Sequence, residues 1–170
     1  MNGSLFIRID DRLIHGQIVT AWAKVLNIKK IIALDDVLAV SEMLAEIMLM
    51  GISDAYEPEI LTTSAVESFL SHHPRDENVL LVTRAAENLD LLQDQLSLAS
   101  AVNIGNCSRK EASCYVFKGI GVGQTLYFSE KDVEVLDDLS SKGIKTVFQQ
   151  MPTDKEVQWQ QIKEGLKRIE

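Results

Sequence analysis

Short apolar runs alternate with stretches of helical periodicity from one end of the chain to the other. Leu5–Ile9, Lys30–Leu34, Glu59–Thr62, Val79–Thr83, Ala101–Ile104 and Ile144–Phe148 read as strands, Val79–Thr83 most clearly as a buried one. Gln17–Leu26 reads as a helix with Ile18, Trp22 and Val25 on one face. Val37–Met50 predicts a strongly apolar helix with Val40, Met43, Leu44, Ile47 and Met48 turned inward. Ser64 with Glu67 predicts a capping box for a helix that stops before Pro74. Leu89, Leu92 and Leu96 line up on a helix over Asn88–Leu98. Ser129 caps a helix that closes at Gly143, and Asp154 caps a last helix with Trp159, Ile162, Leu166 and Ile169 at spacings of three and four. Residues 105–128 are glycine-rich and predict one or two short strands ending near Phe128.

This alternation implies an α/β fold in three layers, a mostly parallel central sheet with helices on both faces. In such folds the ligand site lies beyond the carboxyl ends of the strands. That rule sorts the polar residues. Asp10–Gln17, Asp35, Asp36, Thr83, Arg84 and Asn106 all follow strands and are expected at one crevice, whereas Lys110, Lys142 and Lys145 are not.

Composition narrows the classes. The 170 residues suit one domain, 1–170, with no linker or repeat dividing them. A net charge of −8 argues against nucleic acid and against anionic lipid. Cys107 and Cys114 are the only cysteines and read as reduced thiols. No apolar run is long enough to span a bilayer, and the first residues lack the pattern of a signal peptide, so a cytoplasmic protein is expected.

The chemistry concentrates in residues 7–22, IRIDDRLIHGQIVTAW. A lone histidine is more often packed or solvated than catalytic. His15, however, sits on a strand-to-helix turn before Gly16, where Gly16, Gln17 and Ile18 offer backbone N–H groups at a helix start. A phosphoryl group on His15 would be held there. Arg12 is the candidate phosphate clamp, the plain alternative being an arginine that ties the loop to Asp10 or Asp11. Asp10 and Asp11 are candidate loop-orienting residues. A carboxylate that engages one imidazole nitrogen leaves the other free as nucleophile, although turn chemistry explains either Asp taken singly. Arg8, inside an apolar strand, is costly to bury unpartnered; it either occupies an edge or reaches the site, and is expected at the site as a further phosphate-binding residue. Thr83 is a weaker phosphate ligand candidate, and Arg84 reads as a surface residue. The run Gly119–Thr125 lacks the lysine of a phosphate loop and precedes a strand, His72-His73-Pro74 reads as a solvated loop, and the cysteines lack a second pair for zinc. No metal and no cofactor are expected.

The run Arg8-Ile-Asp-Asp-Arg-Leu-Ile-His15-Gly-Gln resembles the phosphorylation-site segment of the enzyme IIB components of the bacterial phosphoenolpyruvate:sugar phosphotransferase system, in the mannose/fructose/sorbose branch. Weaker similarity runs through Val79–Thr83, Val102–Asn106 and Phe128–Asp132. The resemblance implies that His15 takes a phosphoryl group on Nδ1 from a IIA component and passes it to a sugar imported by the membrane components IIC and IID. It implies roles for Arg12 as the phosphate-loop arginine, Arg8 as a basic position on the preceding strand and Asp10 as the loop aspartate. It also implies a cytoplasmic protein held at the membrane through IIC and IID. The sequence is compatible with a monomer and with a homo-oligomer, and it leaves the sugar open. The rival class is a receiver-like signalling module, which also carries an acidic pair after its first strand. Here no aspartate closes Val79–Val82 and no lysine closes Ile144–Phe148. A histidine phosphatase is disfavoured because no second histidine ends a strand.

Overall fold

A computed structural model describes residues 3–72, 76–120 and 124–170, with the side chains of Gln17, Ile18 and Ile120 excepted. Its seven-stranded sheet runs in the order β3 (Glu59–Leu61), β2 (Lys30–Leu34), β4 (Val79–Thr83), β1 (Leu5–Ile9), β5 (Ala101–Ile104), β8 (Lys145–Phe148), β9 (Val157–Gln158). Every pairing is parallel except β8 with β9. A three-stranded antiparallel sheet joins β10 (Lys167–Arg168), β6 (Tyr115–Ile120) and β7 (Gln124–Phe128).

The central strands are apolar throughout because both faces are covered. All five residues of β2 and of β4 are buried. Side chains alternate between the faces. Ile31, Ala33, Leu80 and Val82 pack with α1 (Gly16–Val25) and α2 (Glu42–Leu49). Ile32, Leu34, Leu81, Ile7 and Ile9 pack on the other side with α3 (Thr63–His72), α5 (Glu130–Ser141) and α6 (Trp159–Glu164). On that side Phe128 meets Trp159 edge to face at 5.5 Å. The chain leaves β1 toward α1 on one face and leaves β4 toward the Ala86–Leu92 turns on the other. The two adjacent carboxyl ends therefore diverge, which opens the crevice that parallel sheets use for ligands.

Several expected elements take another form. The Val37–Met50 segment is a 3-10 turn over Leu38–Val40 followed by α2, and Val40, Met43, Leu44 and Ile47 face solvent. Its core-facing side is made by the partly buried Leu38, Ala39, Ala45, Met48 and Leu49. Thr62, not Ser64, accepts from the Ala65 N–H at the start of α3, whose described part ends at His72. Pro74 lies outside the described residues. Over Asn88–Leu98 the chain forms 3-10 turns, Ala86–Leu92, and one α-helical turn, α4 (Gln93–Leu96), with Leu89, Leu92 and Leu96 still buried. Ser129 does cap α5, in a reciprocal box with Asp132, and Gly143 follows at φ 82°. Asp154 instead accepts from Met151 N–H in a turn, and the last helix begins only at Trp159.

Candidate active site

β1 delivers the chain to the crevice. Its ladder continues past the strand, with Asp10 N–H donating to Thr83 O at 2.8 Å and Asp11 N–H to Asn106 O at 2.9 Å. Asp10 then makes the turn. Its carbonyl accepts from Leu13 N–H at 2.9 Å and its Oδ1 from Arg12 N–H at 3.1 Å. Leu13 is held at φ 58°, a conformation unusual for leucine, and its side chain is fully buried with Ile14 among the α1 and α2 residues. Burial of these two side chains holds the loop in that strained shape. The result is His15 at the N-cap of α1, in extended conformation, with no side-chain cap. The first N–H groups of α1 follow His15 directly and have no acceptor within the helix.

Asp10 is the hub. It is fully buried, and its Oδ2 lies 3.2 Å from His15 Nε2, 3.2 Å from Asn106 Nδ2 and 3.3 Å from Arg8 Nη2. Burial alone would raise its pKa. The hydrogen bonds from His15 and the Arg12 N–H, with the charge of Arg8, outweigh it and hold the carboxyl lowered to about 2. Asp10 is thus an anion that accepts from imidazole Nε2. His15 keeps Nδ1 outside that contact, with no other hydrogen bond to its ring among the described residues.

Arg8 is not a ligand of the open site. It is 1% exposed and lies beneath the loop, bonded to Asn103 Oδ1, the carbonyls of Gln149 and Gln150, and Asp10. Its guanidinium sits 5.3 Å from the Trp22 ring centre, and the Trp22 indole donates to the same Gln150 carbonyl at 3.0 Å. Burial pulls its pKa down, against the pull of Asp10. Arg8 reaches the site as a strut, not as a clamp. Arg12, by contrast, has a half-exposed side chain, with its Nε 3.7 Å from Asp10 Oδ1.

Other expected residues sort as follows. Asp11 orients the loop by accepting from Ser108 N–H at 2.6 Å. Thr83 is fully buried and its hydroxyl accepts from Asn88, so it does not face a ligand. Arg84 is no loose surface residue; it binds Asp35 at 2.9 Å and the Asp11 carbonyl at 2.6 Å. Asp36 ties down Thr63 away from the crevice. Lys110 does belong to this edge, donating to Arg84 O at 3.0 Å, while Lys142 and Lys145 pair with Asp138 and Glu156 elsewhere. Gly16 is exposed with nothing near a would-be Cβ, and the Gln17 backbone lies in the first turn of α1. His72 hydrogen-bonds the Ser68 carbonyl, and His73 and Gly121–Gly123 lie outside the described residues. No cluster of metal-ligating residues occurs among the described residues.

Gly105, Asn103 and the Gln149–Gln150 carbonyls complete the site without having been foreseen. A Cβ on Gly105 would stand 2.7 Å from Arg8 Cζ and 3.0 Å from Asp10 Oδ2. A polar side chain inside β5 and a glycine at its end were the readable signals.

The family model for the phosphotransferase-system sorbose subfamily IIB component matches residues 4–169. The chain belongs to this family. Among curated relatives, the fructose-specific EIIB component of Bacillus subtilis strain 168 is 30% identical over 95% of this chain and 96% of its own length. The mannose-specific EIIAB component of Escherichia coli K12 is 27% identical over 86% of the chain, which spans 44% of that protein. A solved structure of the IIB domain of the Klebsiella pneumoniae sorbose permease superposes with a TM-score of 0.78 over 95% of this chain and 97% of its own, at 22% identity, and so supports the fold. The IIB chain described here is therefore a phosphotransferase component of a sugar transport system, and its architecture is the IIB α/β architecture. No helix among its described residues is long and apolar enough to cross a membrane.

Proposed function

We propose that residues 1–170 act as one IIB domain in which His15 Nδ1 carries the phosphoryl group. The observation that supports this most is the 3.2 Å contact between His15 Nε2 and the buried Asp10 carboxylate. It fixes the tautomer with hydrogen on Nε2 and the lone pair on Nδ1.

The Nδ1 lone pair attacks phosphorus on a donor phosphohistidine of the IIA partner. The donor's N–P bond breaks and its electron pair returns to the donor imidazole. The transferred oxygens settle against the N–H groups at the start of α1 and the Arg12 guanidinium, which balance their charge. Asp10 keeps its hold on Nε2–H throughout and so orients the ring. In the second step a sugar hydroxyl oxygen, presented by membrane components IIC and IID, takes the phosphoryl group and releases its proton to water. The Nδ1–P bond breaks and His15 is regenerated. Such transfers need alignment and charge neutralisation more than further covalent chemistry. The fused IIA and IIB parts named for the Escherichia coli relative support the choice of donor. The acidic chain works at the cytoplasmic face of the membrane, held there by IIC and IID.

Reconstitution tests the reading. Phospho-IIA should phosphorylate the wild-type chain at an acid-labile, base-stable site. IIC/IID vesicles should then discharge it onto one sugar of a panel of mannose, fructose, sorbose and N-acetylated hexosamines. The reading fails if phosphate is acid-stable, or if His15→Ala is labelled as fast as wild type.

A further inference from the structure

α2 should have hidden its apolar side chains. It shows them. Met43, Leu44 and Ile47 on α2 and Met50 at its end, with Val37 and Val40 at the 3-10 turn before extended Ser41, make an exposed apolar stripe, with exposures from 41% to 77%. Together they offer on the order of 600 Å² of mostly apolar surface, at the top of the range of roughly 300–600 Å² for the largest patch of a typical monomer and below the roughly 800 Å² each partner gives to a standard interface.

We propose that this stripe is where the chain docks on the cytoplasmic loops of its membrane-embedded partner. The proposal rests on the phosphocarrier reading above. Charge selects the occupant. From Ile31 to His72 the chain has eight carboxylates and no lysine or arginine. Glu42 and Glu46 lie exposed on α2 itself, with Asp36 and Asp54 exposed beyond its ends. The fitting partner is apolar at the centre and basic at the rim. Cytoplasmic loops of membrane proteins carry an excess of lysine and arginine. A second copy of the chain would bring two such acidic flanks together, and an anionic bilayer meets the same repulsion. The phosphoryl donor has a different seat, because the His15 edge exposes Arg12, Arg109 and Lys110. The stripe also starts next to that edge. Val37 follows Asp35 by two residues, and Asp35 holds Arg84, which holds the Asp11 carbonyl of the catalytic loop. A partner anchored on α2 therefore lies beside the catalytic loop, from which it can reach across to the phosphoryl group on His15.

The test uses the full chain and inverted vesicles carrying IIC and IID, beside vesicles of the same lipids without them. The variant is Met43→Glu with Ile47→Glu, and the control is Leu91→Glu with Leu98→Glu, two exposed leucines away from the stripe. Cosedimentation with IIC/IID vesicles should weaken by about tenfold or more in the stripe variant and stay unchanged in the control. Both should keep the wild-type melting temperature and wild-type phosphorylation by phospho-IIA. Equal vesicle binding by the stripe variant and wild type overturns the proposal. So does binding of wild type to the bare lipid vesicles, a matching fall in phosphorylation by phospho-IIA, or a wild-type dimer that the substitutions dissociate. If the wild type is never phosphorylated on histidine, the phosphocarrier reading fails instead, a result the binding measurement does not depend on.

Discussion

Asp10 holds Arg8 and His15 at once, beside Arg12 and Asn106, and substitutions around it separate their roles. Asp10→Asn would leave Arg8 charged and buried without its counter-ion, which typically costs about 3 kcal/mol or more. Urea unfolding near neutral pH should show this loss. The pH dependence follows from the direction of the Asp10 shift. Its folded pKa of about 2 lies below the ordinary 3.8, so the unfolded chain takes up the proton first. The stabilisation is full above that ordinary value and is lost as pH falls through the folded one. Acid titration of wild type should therefore show a loss between these two values that is missing in Asp10→Asn; identical slopes would contradict the account. Arg12→Lys keeps the charge but loses the planar fork, and should slow single-turnover transfer by about tenfold with stability unchanged. Gly105→Ala drives a methyl into the Arg8–Asp10 pair. It should lower both the melting temperature and the transfer rate, whereas a rate that survives intact would mean the pair does not orient His15.

The elements explain what the sequence made legible and what it hid. β2 and β4 were readable because burial on both faces makes a continuous apolar run that nothing else resembles. The α5 start was readable because Ser129 and Asp132 form the box their spacing predicts. Ser129→Ala should cost about 1 kcal/mol by thermal unfolding, from the lost cap and the lost contact with Glu87. α2 misled because periodicity finds a stripe but not the direction it faces. The smaller Ala39 and Ala45 lie inward with Leu38, Met48 and Leu49, and the bulky stripe lies outward. That Asp10, Arg12 and His15 come together was legible in the first fifth of the chain because one turn holds all three. Arg8 was misjudged because nothing local shows that Asn103 and the Gln149–Gln150 carbonyls, far along the chain, converge on it. Lys110 was missed for the same reason: its loop folds back over Arg84.

As a whole molecule the chain is an acidic body with a small basic edge at its transfer site and an acidic, apolar flank beside it. Association with the phosphoryl donor should slow as salt rises, since Arg12, Arg109 and Lys110 sit at an exposed edge where screening is effective. Stopped-flow transfer at increasing ionic strength checks this, and a flat profile would point to an apolar donor interface. The expectations about transfer depend on one atom. The direct measurement is heteronuclear NMR of the chain, labelled with nitrogen-15 in histidine and phosphorylated by phospho-IIA, reading which ring nitrogen of which histidine couples to phosphorus. The account predicts a single phosphohistidine, His15, bonded through Nδ1 with Nε2 protonated against Asp10. Phosphorus on Nε2 of His15, on His72 or His73, or on a carboxylate would contradict it.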